Sequence, residues 1–168
     1  WSDLYLADGG VIYFGNDQDV TVTHDPDDGL FLKSAATADN NPFVLTLQTG
    51  ETDIAANDVL GQINFQAPDE GTGTDATYIA ATIKAVSEGD FSSSSNATSL
   101  RFHTANSESA SDAGAQMSIT SAGKVGINDT TPDAMLDVYS DSGTSTDIAR
   151  FEAAVGSYTG SSIVAGNT

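Results

Sequence analysis

The sequence predicts an all-β protein, and three observations predict it. Short runs of β-forming residues recur between turn clusters along the whole chain. Several of them alternate apolar and polar residues with period two, as a sheet with one covered face does. The acidic residues are almost all Asp, 19 of 24, and Asp favours turns where Glu would support helix interiors.

Residues 1–33 read as a short-strand meander. Leu4-Tyr5-Leu6 leads to the turn Asp8-Gly9-Gly10, and Val11-Ile12-Tyr13-Phe14 follows. Val20-Thr21-Val22-Thr23 alternates, and Asp25-Pro26-Asp27-Asp28-Gly29 is a strong turn because Pro fixes φ and Gly admits positive φ. Leu30-Phe31-Leu32 closes the region.

Residues 34–120 read as a second region, a small antiparallel sheet or sandwich. Phe43 to Leu47 is apolar and β-rich. In 59–67, Val59, Gly61, Ile63, Phe65 and Ala67 share one face. In 78–86, Ile79, Ala81, Ile83 and Ala85 are expected inward. Leu100 and Phe102 alternate with Arg101 and His103, and Ala115, Met117 and Ile119 alternate with Gln116, Ser118 and Thr120. Residues 87–99 and 106–114 are Ser-rich and read as solvated, mobile loops.

Residues 121–168 form a third region. Val125-Gly126-Ile127 and Met135-Leu136-Asp137-Val138 are short strands around a polar turn, and residues 145–155 are the one stretch with helical promise. The chain opens at Trp1 and stops in a polar run at Thr168, which reads as a segment of a longer polypeptide.

Composition narrows the function classes. The formal charge of −19 disfavours nucleic acid as a partner. Apolar runs of about five residues are too short for membrane insertion, and the chain reads as soluble. With no cysteine, disulfides and thiolate metal sites are excluded. Twenty-four acids make chance carboxylate pairs certain, so no pair by itself marks a hydrolase. His24 and His103 lie on separate, polar strand faces, without metal-ligand spacing, and read as surface residues. The expectation is a protein that is not an enzyme and needs no cofactor. For a metal, Asp25, Asp27 and Asp28 offer hard oxygen ligands suited to Ca2+, but their spacing fails the EF-hand pattern and solvated turn acids are the expectation.

The stretch Gly123-Lys124-Val125-Gly126-Ile127-Asn128-Asp129-Thr130-Thr131-Pro132-Asp133-Ala134-Met135-Leu136-Asp137-Val138 resembles a recurring unit of bacteriophage tail-fibre and related virion appendage proteins, with Met117 to Gly123 as its lead-in strand. Asn128 stands where that unit usually has Gly, and Asn tolerates left-handed backbone. Val11 to His24 with Gly29-Leu30, and Asp58 to Phe65, resemble units of marine-phage structural proteins. Residues 150–168 are similar to the segment preceding an intramolecular chaperone in such fibres.

The resemblance implies an elongated homotrimeric fibre with prism-like shaft segments, located on the virion as an extracellular appendage. It implies a structural role, spacing or presenting host-attachment elements alongside other virion or fibre proteins. On a threefold axis, Val125, Ile127, Leu136 and Val138 would meet their copies, and strands this short need such help. Alternative readings are a receptor module that binds a host surface glycan or protein through loops 87–99 and 106–114, and a bacterial surface adhesin-like β module.

Overall fold

In the computed structural model, the described residues are 3–66, 77–106, 109–110 and 114–140; the helical stretch expected at 145–155 lies outside them. Among the described residues every regular element is a strand and no α-helix occurs, so the chain is all-β. It divides into two compact units, Trp1–Thr46 and Leu47–Thr168.

The first unit is a three-stranded antiparallel meander of β1 (Val11–Phe14), β2 (Val20–Asp25) and β3 (Gly29–Ser34). The β2–β3 hairpin turns at Asp25 to Gly29, with Asp27 (φ 65°) and Gly29 (φ 134°) supplying the positive φ that the twist of a tight hairpin demands. Ile12, Val22 and Leu32 stand directly opposite one another and form an apolar row. Leu4-Tyr5-Leu6 is not a strand: the chain there joins no ladder, and the Ala7 carbonyl is taken by Gly10 N in a turn (2.8 Å).

The second unit holds one six-stranded sheet in sequential order: β4 (Val59–Gln66), β5 (Ile79–Ser87), β6 (Thr98–Thr104), β7 (Met117–Ile119), β8 (Val125–Ile127) and β9 (Leu136–Val138). Of the two alternatives for residues 34–120, sheet or sandwich, the strands form the single sheet, and β4 to β7 are antiparallel as expected. The whole sheet is mixed, because β8 and β9 run parallel while all other neighbours are antiparallel. The segment 43–47 forms no strand; β-rich composition makes a strand only where a neighbouring ladder takes its backbone groups. The divisions drawn at 33/34 and 120/121 differ from the compact units, since β8 and β9 hydrogen-bond into the same sheet as β4 to β7.

Segment 88–97, expected to be a mobile loop, is tied at both ends. Glu88 N donates to Ala97 O (2.9 Å), Ser92 N to Ser95 O (2.9 Å), and Phe91 N to Ile54 O (2.9 Å). Its serines close a tight turn, with Ser92 to Ser95 exposed to solvent as expected. At its base Ser87, fully buried, accepts Asp58 N on Oγ (2.9 Å) and donates the same hydroxyl to Ala55 O.

Candidate functional site: a bare apolar face and a polar groove

Register places two continuous apolar rows across all six strands of the second sheet. One runs Ile63, Ile83, Phe102, Met117, Ile127, Val138; the other runs Gly61, Ala85, Leu100, Ile119, Val125, Leu136. Residues directly opposite in a ladder project from the same face, so these twelve positions make one surface. The four residues expected at a trimer axis, Val125, Ile127, Leu136 and Val138, lie on it together, paired Val125 with Leu136 and Ile127 with Val138.

Burial is the reverse of what a self-sufficient domain has. No residue of either row is buried, and Phe65 at 53%, Ile63 at 45%, Leu100 at 40% and Leu136 at 58% are exposed. The opposite face carries Thr82, Lys84, Val86, Ser99, Arg101, His103, Ser118 and Gly126, and there Thr82, Val86, Ser99, His103 and Ser118 are buried. The expectation that Ile79, Ala81, Ile83 and Ala85 point into a core is therefore corrected: their face is the half-covered one. His103, expected on the surface, is buried; His24 is exposed, with Nδ1 3.8 Å from Asp8 Oδ1.

At the β7–β8 end of the polar face the connection between β8 and β9 lies on Ser118 and Gly126. The connection, residues 128–135, is short for a parallel pair, which usually needs a dozen residues or more. It fits because the chain folds flat onto the sheet. A Cβ at Gly126 would collide with the Asp129 carbonyl, so only glycine allows this approach. That carbonyl accepts Ser118 Oγ (2.6 Å), which satisfies a fully buried hydroxyl. Asn128 takes φ 55°, in the left-handed region, and its Nδ2 donates to Tyr139 O (3.3 Å). Asp129 Oδ1 accepts Thr131 N (2.8 Å) in an Asx turn, Pro132 is buried, and Lys124 Nζ donates to the carbonyls of Pro132 (2.8 Å) and Asp133 (2.9 Å).

Beside this connection lies a groove of about 400 Å³, lined among others by Asn57, Glu88, Arg101, Thr120, Lys124 and Thr131. Sequence inspection missed it because its residues come from five separate stretches of the chain. Asp25, Asp27 and Asp28 share the β2–β3 turn, where Asp28 N donates to Asp25 O (3.2 Å). Among the described residues no group of three or more His, Asp or Glu side chains gathers in a way that could hold a metal ion.

No family model and no curated protein matches the chain.

Proposed function

We propose that the chain is a structural module of a viral fibre of the bacteriophage type, working as a homotrimer that spaces or presents host-attachment elements. The observation that carries this reading is the inverted burial of the six-stranded sheet. Its apolar rows are left half open while small polar side chains fill the covered side.

Covering a half-exposed Ile, Leu or Phe is worth about 1 kcal/mol, and eleven apolar side chains in two rows bring the total to the order of 10 kcal/mol per chain. That is comparable with the whole stability of an ordinary domain. A second and third copy of the same face supply a matching apolar surface, and closed symmetry covers all three faces at once. The 123–138 motif supports the fibre assignment further: Gly126 and Pro132, by which it resembles appendage proteins, and Asn128, which departs from that pattern but takes left-handed backbone, hold the connection flat on the polar side.

Locating the chain on particles tests the assignment. Antibody raised against the chain, gold-labelled and imaged on intact virus preparations, is expected to decorate an appendage. Label confined to bacterial envelopes would overturn the viral reading in favour of a cell-surface adhesin.

A further inference from the structure

The polar groove has a charge that the rest of the molecule does not lead one to expect. Against 24 acidic residues the chain has five basic ones, and three of these, Lys84, Arg101 and Lys124, stand on the covered side of the six-stranded sheet. Lys84 lies directly opposite Arg101 in the β5–β6 register, so two cations stand side by side on this face.

Arg101 is half-buried and held in place from behind. Its Nε donates to Ser99 Oγ (3.0 Å), and the Ser99 hydroxyl donates in turn to Val86 O (3.2 Å). Among the described residues no ion pair engages the guanidinium. The acid on the groove wall, Glu88, is turned to Ser121, whose N (3.0 Å) and hydroxyl it accepts on Oε1 and Oε2; these bonds fix the carboxylate and leave its negative charge in the groove. Lys124 is fixed by two backbone carbonyls, which leave its charge uncancelled. The wall thus has an oriented fork of N–H donors and a second fixed cation against one carboxylate, with the hydroxyl and amide groups of Thr120, Thr131 and Asn57 beside them. A guanidinium fork matches a planar carboxylate in bidentate fashion. Hydroxyls and an amide around it suit a polyol, and the volume lies within the range of small-molecule sites.

We propose that this groove binds an acidic sugar unit, with its carboxylate on Arg101 and its hydroxyls on the Thr120, Thr131 and Asn57 side.

Saturation-transfer NMR on the full chain tests this with glucuronate as the probe, glucose as the uncharged control and inorganic sulfate as the competitor. The expected result is transfer to glucuronate, none to glucose, and displacement by sulfate only at concentrations well above those of glucuronate. Arg101→Gln is expected to weaken glucuronate binding at least tenfold with an unchanged melting temperature. Should that variant fold poorly, Ala122→Glu, which puts a carboxylate on an exposed turn of the same groove, is expected to weaken binding similarly. No transfer to glucuronate, or undiminished transfer in a folded variant, would overturn the proposal. Sulfate competing as tightly as glucuronate would overturn the sugar assignment. The readout does not depend on oligomeric state, so it stands or falls separately from the trimer.

Discussion

Gly126 and Asn128 carry the geometry of the β8–β9 connection, and each makes a prediction of its own. Gly126 gives way to the Asp129 carbonyl, a backbone atom that cannot rotate aside. Gly126→Ala should therefore lift the 128–135 connection and break the Ser118 to Asp129 bond, destabilising the fold by about 3 kcal/mol, the upper range for overpacking. Denaturant midpoints would measure it; a midpoint equal to that of the parent would show that the connection does not sit where described. At Asn128 the positive φ is the controlling feature. Asn128→Gly should be tolerated within about 0.5 kcal/mol, whereas Asn128→Val should cost about 2 kcal/mol, because a β-branched residue resists left-handed backbone. Equal stability of the two variants would contradict this account of the turn.

Among elements, the joint formed by the end of β5, residues 54–58 and segment 88–97 depends on one hydroxyl. Ser87 Oγ serves both Asp58 N and Ala55 O in a fully buried position, so Ser87→Ala should cost about 2 kcal/mol by leaving two backbone groups unsatisfied. Hydrogen exchange should accelerate first at Asp58 and Phe91; uniform acceleration across the sheet would count against a local joint. Much of the strand pattern was legible in the sequence. Alternation of Ile63 and Phe65 with Asn64, and of Leu100 and Phe102 with Arg101, marks β4 and β6 directly, and Asn128 announced its left-handed turn. Three things were not legible. Periodicity identifies two faces but not which is covered, and here the small residues Ser118 and Gly126 let the β8–β9 connection settle on the polar side. An eight-residue connection reads as a hairpin, so the parallel β8–β9 pairing had no sequence signal. The groove joins Asn57, Glu88, Arg101 and Lys124 only after the sheet has formed.

At the scale of the whole molecule, two opposing quantities would govern the proposed trimer. The apolar rows favour association, while three copies of a chain with formal charge −19 together carry −57 and repel one another. Salt should shift the balance, since the Debye length falls from about 10 Å at 0.1 M to about 3 Å at 1 M. Oligomer stability is accordingly expected to rise with NaCl, read as a higher melting temperature at fixed protein concentration; a fall or no change would mean that charge does not limit the assembly. Ile127→Asp with Leu136→Asp, which places two carboxylates on adjacent positions of the rows, should reduce the oligomer to single chains. The most direct measurement is the mass of this 168-residue chain in native buffer at micromolar concentration. Three times the 17.3 kDa of one chain is the predicted value. A stable species of 17.3 kDa, with the apolar rows protected from solvent within a single copy, would contradict the central claim.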